Sequence, residues 1–344
     1  MTETNSSPCS ISERGKPLSY DQIKAIIKFS SMDKRRSMAR RIPALRKVEN
    51  LMPYHFKEIC IRGNFNYLFS FEIGSCSRRW DFREDDQKTW SFVHIISQDY
   101  LRGGYNLKQT VSVAFANLVK EYLKAGSTVD QLNVDVLTPE DLELKNLKLK
   151  VNSLDVGRPN RMLPYLWHRA FDDTHTLKTI KFIATSHNTF MFEDPMVKSC
   201  EKLIVQWICG DFKVDDRFFD LQNQKLEVIH LDFTGEPTEK LLRNWVNYGR
   251  PLGTSFTRGV YQFTDVIDVF DLAANWFPQS VPSVFPNITH GARHCVTIPM
   301  DDQLELVIFG EADLEKDAYW FWKKFWKMRF VVMKKGTTVP KMIL

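Results

Sequence analysis

The sequence predicts a mixed α/β (α+β) chain, with a short helical head followed by a β/α, leucine-rich-repeat-like solenoid domain. Three observations predict it. Three short helix patterns follow one another near the N-terminus, and strand-like apolar cores then recur at intervals of roughly 20 to 30 residues. The clearest core is followed by a well-marked helix. With 344 residues, 43% of them hydrophobic, the chain can bury a sizeable core without disulfides or metal ions.

The N-terminal segment, residues 1–16, is polar and rich in Ser and Thr, which predicts a disordered tail. It has no apolar centre of the kind found in secretory signal peptides. No stretch of the chain approaches 18 uncharged apolar residues, so we expect no contact with a membrane. The six cysteines form no CxxC pair, as is usual in a reducing compartment. These features predict a cytoplasmic or nuclear protein.

The helical head is predicted over residues 17–52. Its first helix carries a capping box, because Ser19 stands at the N-cap position and Gln22 follows three residues later. Leu18 and Ile23 flank the cap at the spacing of a hydrophobic staple. The local signals therefore place a helix start at residue 19 or 20.

Two further helices are predicted on either side of a proline. The second begins near Asp33 and ends by Ile42, because the residue before a proline is disfavoured in helical conformation. Pro43 suits the first turn of the third helix, whose apolar side carries Leu45 and Val48. Three helices of this length bury little apolar surface alone, so the head is expected to need a partner or a neighbouring domain.

The positive charge of the chain is concentrated in the head. Residues 12–50 contain eleven Lys or Arg and four acids, whereas the whole chain has a net charge of +5. Nucleic-acid sites usually interleave exposed aromatic rings with such cations, and none lie here. The pattern favours a solvent-exposed helix face, although the same positive charge would also attract an acidic protein partner. The cations concerned are Arg35, Arg36, Arg40 and Arg41.

Beyond the head, periodicity changes from helical to strand-like. Early strands are predicted at residues 59–61 and 67–71, and a helix at 109–125, before Gly126. The recurring strand cores lie at residues 132–136, 149–156, 180–184, 203–207, 226–233 and 260–263. They show no regular LxxLxL spacing and no asparagine ladder, so the similarity to leucine-rich repeats is a loose one.

The C-terminal part contains the best-marked helix and the last strands. Pro237 near the start and Gly249 just after the end predict a helix over residues 237–248. A strand is predicted at residues 304–309. Residues 326–333 alternate apolar and basic side chains with a period of two, which favours a half-exposed strand over a membrane-surface helix.

No sequence motif of an enzyme is present. The chain has no P-loop, no GxGxxG, no HExxH and no GxSxG sequence. Gly253 and Ser255 begin a sequence like a nucleophile elbow, but Thr257 stands where its second glycine would be required. The sequence therefore predicts an interaction protein that is not an enzyme and that binds no cofactor and no metal ion.

The order of several segments resembles the nematode F-box C group and its F-box-associated region. The head segments are KPLSYDQIKAII at 16–27 and RIPALRKVE at 41–49. The later segments are 114–127, QLNV at 131–134, 147–154, 226–249 and 298–301. This resemblance implies an F-box-like segment over residues 17–52, an F-box-associated α/β region over 53–156, and a solenoid-like F-box-associated domain over 157–344.

The resemblance implies a substrate-recognition subunit of an SCF cullin-RING ubiquitin ligase. Such a subunit binds a Skp-type adaptor through its head and an unidentified target protein through the remainder. The head residues implied to contact the adaptor are Leu18, Ile23, Ile26, Ile27, Ile42, Pro43 and Leu45. The Arg-rich segment 33–41 replaces the leucine-rich centre of a standard F-box. An alternative is therefore a non-degradative protein- or nucleic-acid-binding module that has lost adaptor binding, although nucleic acid is not the favoured partner.

A target site is predicted on loops after the last repeat units, because partners of repeat proteins commonly dock on the sheet and the loops that leave it. Arg and aromatic side chains dominate binding hot spots, and these loops carry several. The candidates are Arg250, Phe256, Arg258, Tyr261 and Trp276. The alternative interpretation is that these side chains cap the open end of the solenoid core.

Overall fold

The computed structural model describes most of the chain after the N-terminal segment. The described residues are 19–63, 68–74, 78–84, 91–97, 100–107, 111–135, 147–157, 170–185, 189–207, 214–229, 235–260, 263–286, 294–312 and 326–341. The chain divides into two compact units, Met1–Tyr54 and His55–Leu344. We call them the head unit and the sheet unit. The predicted tail, residues 1–16, lies outside the described residues.

The head unit contains three helices, α1 (Tyr20–Phe29), α2 (Met32–Arg41) and α3 (Pro43–Leu51). The predicted capping box is confirmed, because the Gln22 backbone N–H donates to Ser19 Oγ and the Ser19 N–H donates to Gln22 Oε1. The predicted break before the proline is also confirmed. Ile42 has extended backbone angles, and Pro43 occupies the first turn of α3.

The three helices enclose a small core of their own. Ile27, Leu45 and Val48 are buried together. Three partly buried side chains pack around this cluster, namely Ile23, Met38 and Met52. Apolar residues spaced by three or four along α1 and α3 meet in this way because they share one helix face.

The sheet unit is built on one large mixed sheet, which confirms the predicted α/β class. Sixteen strands belong to it among the described residues. They are β1 (His55–Gly63), β2 (Leu68–Ile73), β3 (Arg78–Glu84), β4 (Ser91–Ser97), β5 (Tyr100–Leu107), β6 (Thr128–Asp135), β7 (Lys150–Val156), β8 (Thr179–Ala184), β9 (Lys202–Trp207), β10 (Lys225–Ile229), β11 (Ser255–Val260), β12 (Val281–Val284), β13 (His294–Pro299), β14 (Leu304–Ala312), β15 (Trp326–Lys334) and β16 (Val339–Pro340).

The centre of the sheet is parallel, and both flanks are antiparallel. From β6 to β11 each strand pairs in parallel with the strand that follows it along the chain, and β1 pairs in parallel with β6. One flank continues from β1 through β2, β3, β4 and β5. The other continues from β11 through β15, β14, β13, β12 and β16. The expected boundary at residues 156 and 157 lies between β7 and β8, which pair directly.

Helices connect the central strands. The described ones are α4 (Val111–Tyr122), a 3₁₀ helix (Thr189–Glu193), α5 (Pro195–Ser199), α6 (Asp216–Phe219), α7 (Glu236–Tyr248) and α8 (Phe263–Trp276). The predicted helix over 237–248 is confirmed as α7. It lies between Gly235 and Gly249, both of which have positive φ angles that disfavour other residues. α8 packs on β11, β13, β14 and β15.

Two rows of buried side chains run across the central strands. The strand register places one residue of each strand beside its counterpart on the next. The first row is Ile59, Leu132, Leu154, Ile180, Leu203, Leu226, Phe256 and Phe330. The second row is Ile61, Val134, Val156, Phe182, Val205, Val228, Arg258 and Met328. These rows form the core beneath the sheet.

A third buried residue precedes the first-row residue of β1 and of β6 to β10 by three positions. The resulting triplets are Phe56, Ile59 and Ile61; Val129, Leu132 and Val134; Val151, Leu154 and Val156; Leu177, Ile180 and Phe182; Cys200, Leu203 and Val205; and Asn223, Leu226 and Val228. The spacing of the buried residues is therefore the same in these six strands. Cysteine and asparagine occupy the first position in two triplets, which hides the pattern. The Asn223 amide donates to the backbone oxygens of Val197 and Cys200, 2.8 Å away in each case.

Candidate functional site

The sheet has an outward face that is polar and accessible. Side chains alternate between the two faces of a strand, so the residues between the buried rows point the other way. One outward row is Gln131, Ser153, Thr179, Lys202, Lys225 and Ser255. The next is Asn133, Asp155, Lys181, Ile204, Glu227, Thr257 and Arg329. All of these side chains are exposed or half-buried, so a partner can reach them.

A depression of about 310 Å³ lies on this face where β9, β10, β11 and β15 adjoin. Its lining contains four cations, one acid, two residues with hydroxyl groups, an isoleucine and a leucine. The residues are Lys202, Ile204, Lys225, Leu226, Glu227, Ser255, Thr257, Lys327 and Arg329. We call Lys202, Lys225, Lys327 and Arg329 the cationic patch.

Three cations of the patch form ion pairs at the surface. The pairs are Lys202 Nζ with Glu227 Oε2 at 2.7 Å, Lys225 Nζ with Glu201 Oε1 at 2.7 Å, and Arg329 Nε with Glu311 Oε2 at 2.5 Å. Hydrogen bonding to Lys225 lowers the pKa of Glu201. Exposed pairs of this kind typically stabilise a fold by ~0–1 kcal/mol, so a competing carboxylate can replace the glutamate at small cost.

An acidic end of the parallel centre lies on β1, β6 and β7. Asp130 Oδ1 lies 3.1 Å from His55 Nε2 and accepts a 2.9 Å hydrogen bond from Asn152. The hydrogen bond with His55 is the main cause that lowers the pKa of Asp130. Asp155 pairs with Lys181 Nζ at 2.7 Å. On the outward face itself, Glu58 and Asp155 lie toward β1 and β7, and the cationic patch lies toward β15.

Cys60 is the thiol on the acidic end. The Asn133 amide donates to Cys60 Sγ at 3.1 Å and to Glu58 Oε1 at 3.0 Å. Burial raises the pKa of this thiol, which keeps it protonated and poorly nucleophilic. Within the part of the chain that the structure describes, no group of three or more His, Cys, Asp or Glu side chains could hold a metal ion.

The predicted adaptor residues separate into buried and exposed sets. Ile27 and Leu45 are buried in the head core, and Ile23 is half-buried. Ile26 and Ile42 are 44% and 48% exposed, and Pro43 is exposed. Leu18 lies outside the described residues. The sequence did not single out Tyr20, Phe29 and Leu51, which are also exposed apolar side chains of the head.

The structure corrects the interpretation of the arginine cluster. Arg40 and Arg41 are exposed, whereas Arg35 is buried. Arg35 donates from Nη2 to the Met52 oxygen at 2.9 Å and from Nη1 to the Pro53 oxygen at 3.1 Å. Arg35 is buried because these two carbonyl groups follow α3, accept no hydrogen bond within that helix and require another donor.

A buried carboxylate completes this arrangement. Glu49 Oε1 lies 3.9 Å from Arg35 Nη2 and accepts a hydrogen bond from the Tyr54 hydroxyl. Burial, followed by the bond to Glu49, raises the pKa of Tyr54 above its ordinary value. The three side chains form a polar network inside the head unit.

The predicted target site does not form one exposed surface. Phe256 and Arg258 are buried in the two rows beneath the sheet, where Phe256 packs on Phe330 with ring centres 5.2 Å apart. Burial lowers the pKa of Arg258 to about 10, and Asp265 opposes that shift. Trp276 is half-buried at the end of α8, and Tyr261 lies outside the described residues. Alternation along β11 explains the burial, since Phe256 and Arg258 share its inward side.

Arg250 is also a core residue. Its guanidinium carbon lies 5.4 Å from the centre of the Trp245 ring, and Nη1 donates to Gln222 Oε1. Burial lowers its pKa, and the charge of Asp220 acts against this effect. Arg250 and Trp245 therefore hold the end of α7, and Arg250 is not available to a partner.

Comparison with known proteins finds a match to one part of the chain. The model of a domain of unknown function (DUF3557) matches residues 110–262, which include β6 to β11 and the helices between them. No curated protein is significantly similar to the chain. No solved structure is significantly similar to it either.

None of the helices in the described ranges is long and apolar enough to cross a membrane.

Proposed function

We propose that the chain is a substrate-recognition subunit of an SCF cullin-RING ubiquitin ligase, with a head that binds a Skp-type adaptor. One observation carries the proposal. The head unit closes its own core on Ile27, Leu45 and Val48 and still leaves Ile26 and Ile42 exposed. Exposed apolar side chains grouped on one small unit are typical of a protein-binding surface.

We further propose that the sheet unit is a leucine-rich-repeat-like solenoid that presents its outward face to a target protein. The pairing of β6 to β11 in chain order supports this proposal, as does the repeated spacing of the buried triplets. Solenoids of this class use extended sheet surfaces to bind partners. The two binding functions would then belong to separate units of the chain.

Such a subunit performs no chemistry of its own. It holds a target protein near an enzyme charged with ubiquitin, so its contribution is proximity and orientation. The buried, protonated Cys60 and the enzyme motifs missing from the sequence fit this role. The target protein and the cullin complex are the proposed partners, in the cytoplasm or the nucleus.

A pair of variants tests the adaptor site. The double variant Ile26→Asp and Ile42→Asp places two carboxylates on the proposed apolar surface. We expect it to lose co-purification with the Skp-type adaptor, because charged groups cannot be buried in such an interface without a partner. The control variant Ser37→Asp and Asn50→Asp adds the same two charges at exposed polar positions of α2 and α3. It should retain the adaptor.

Hydrogen exchange of the head must be measured in both variants. A loss of adaptor binding supports the proposal only if the head of the variant is still folded. Native chain that fails to bind the adaptor, or a double variant that binds it unchanged, contradicts the F-box interpretation.

The alternative is a binding module that has lost adaptor binding. In that case the exposed Arg40 and Arg41 at the end of α2 would contact an anionic partner such as nucleic acid. Affinity for RNA or DNA should in that case fall steeply between about 50 and 200 mM salt, as counterions are released. We expect no binding at physiological salt. A salt-dependent, sub-micromolar interaction would favour the alternative.

A further inference from the structure

We propose that the cationic patch on β9, β10 and β15 binds an extended acidic segment of the target protein. The inference rests on the proposed function, because it assigns a chemical class to the target that the outward face would recognise. It moves the target site from the buried Phe256 and Arg258 to the opposite side of the same strands. The observations that carry it are the placement, charge and exposure of the patch.

Strand pairing brings the cations of β9, β10 and β15 together within a group of four neighbouring strands, in which β11 is the fourth. Lys202 of β9 lies beside Lys225 of β10, and Arg329 of β15 lies beside Thr257 of β11. Neighbouring strands are about 4.8 Å apart, so the patch extends about 14 Å across the sheet. An extended peptide rises about 3.3 Å per residue, and a run of four or five residues would therefore span it.

The lining offers the groups that an acidic peptide requires. The lysines and the arginine can receive carboxylates, and Arg329 can hold one with two parallel hydrogen bonds. The hydroxyl groups of Ser255 and Thr257 can bond to peptide oxygens, and Ile204 supplies apolar contact. Glu201 and Glu311, which pair with Lys225 and Arg329, do not belong to the lining, so ligand carboxylates can take their places.

The polarity of the outward face restricts where an acidic segment can lie. Glu58 and Asp155 on β1 and β7 would repel it, whereas the four cations attract it. The segment is therefore confined to the half of the face nearer β15. Charge complementarity of this kind governs specificity and the rate of encounter more than affinity.

The composition of the lining favours a peptide over nucleic acid. Single-stranded nucleic acids usually stack their bases on exposed aromatic rings, and the lining of this depression has none.

The test measures peptide binding to the purified full-length chain by fluorescence anisotropy. The probe is a fluorescein-labelled decaglutamate peptide, compared with a Gly–Ser peptide of equal length and with a single-stranded oligonucleotide. The patch variant is Lys225→Glu with Arg329→Glu. The matched control is Lys198→Glu with Arg243→Glu, which makes the same change in net charge on α5 and α7. Circular dichroism verifies that both variants are folded.

We expect decaglutamate to bind the native chain and the control with equal affinity. The patch variant should bind about ten-fold more weakly or not at all, and binding should weaken as salt rises. The inference is overturned if decaglutamate does not bind, if both variants lose it equally, or if the patch variant binds unchanged. Tighter binding of the oligonucleotide at the same residues overturns it in favour of nucleic acid.

The adaptor experiment and the peptide experiment can fail separately. Peptide binding that persists in a chain without adaptor binding contradicts only the ligase proposal. Adaptor binding in a chain whose patch reversal changes nothing contradicts only the acidic-segment inference.

Discussion

The guanidinium carbon of Arg35 lies 4.4 Å from the centre of the Tyr54 ring, inside a head unit whose described part is three short helices. The stacked pair connects α2 to the residues that follow α3. A guanidinium over an aromatic ring gains cation–π attraction. In Arg35 the two terminal nitrogens still donate to two carbonyl oxygens. The Arg35–Tyr54 stack thus adds a tertiary connection to a unit with a small apolar core.

The first prediction concerns this stack. Arg35→Lys should weaken hydrogen-exchange protection of α2 and α3 by about ten-fold or more, because an ammonium cannot stack on Tyr54 and bond both carbonyls. That loss corresponds to about 1.4 kcal/mol of local stability. Mass spectrometry of peptides from residues 20–52 measures it. Arg40→Lys, on the exposed side of α2, is the control, and equal protection in the two variants would contradict the assignment.

The second prediction concerns Arg258 in the second buried row. Arg258→Ala should lower the free energy of unfolding by about 2–4 kcal/mol, because it leaves a cavity beside Val228 and Met328. Arg258→Met fills most of the space and should cost less than about 1.5 kcal/mol. Urea denaturation followed by circular dichroism measures both. An alanine variant as stable as the exposed-site control Lys225→Ala would show that Arg258 has no structural role.

The third prediction concerns the pH dependence of stability at Asp215, the N-cap of α6. Its carboxylate accepts hydrogen bonds from Arg217 Nε and Nη2, both at 2.8 Å. These bonds are the main cause that lowers the pKa of Asp215 to about 2. A folded-state pKa below the unfolded value of about 3.9 stabilises the fold at neutral pH, and this stabilisation is lost as the pH falls below about 4.

Asp215→Asn should therefore cost about 1 kcal/mol at pH 7, a value reduced because the site is partly exposed to solvent. The difference between native chain and variant should shrink from about pH 4 toward pH 2. Urea titrations at neutral pH and at several acidic values compare the two proteins. A difference that stays constant down to pH 2.5 would contradict the assigned pKa.

The fourth prediction concerns thiol reactivity. Burial raises the pKa of Cys200 and of Cys295 to about 12, and it raises that of Cys60 as well. The native chain should not be alkylated at these three residues by iodoacetamide at pH 8, because the thiolate is the reactive form. Mass spectrometry locates the modified sites, and urea-unfolded chain is the positive control. Rapid labelling of Cys200 in native protein would contradict its burial.

Local signals predicted the head helices correctly, because capping and proline geometry depend on adjacent residues. The burial of Arg35 could not be predicted in this way. It lies in a run of basic residues, and the carbonyls that receive its hydrogen bonds follow α3, about 17 residues later. Only the tertiary arrangement of α2 and α3 distinguishes Arg35 from the exposed Arg40.

The sheet was predicted where strand cores are apolar and missed where charge interrupts them. A strand was expected at 260–263, whereas β11 ends at Val260 and α8 begins at Phe263. The cause is Arg258, a charged residue at a buried position of β11. β3 was missed for a similar reason, because Trp80 and Phe82 stand among charged residues. The cationic patch has no sequence signal, because its members are separated along the chain and adjoin only through strand register.

The order of the central strands has a consequence for biosynthesis. During translation each strand from β7 to β11 emerges beside a partner already made, so this part of the sheet can assemble residue by residue behind the ribosome. β11 is different, because its second partner, β15, begins about 66 residues after β11 ends. Until β15 is synthesised, the edge of β11 offers unpaired backbone groups to other chains. The nascent protein is therefore exposed to association through this edge for as long as β15 has not been made.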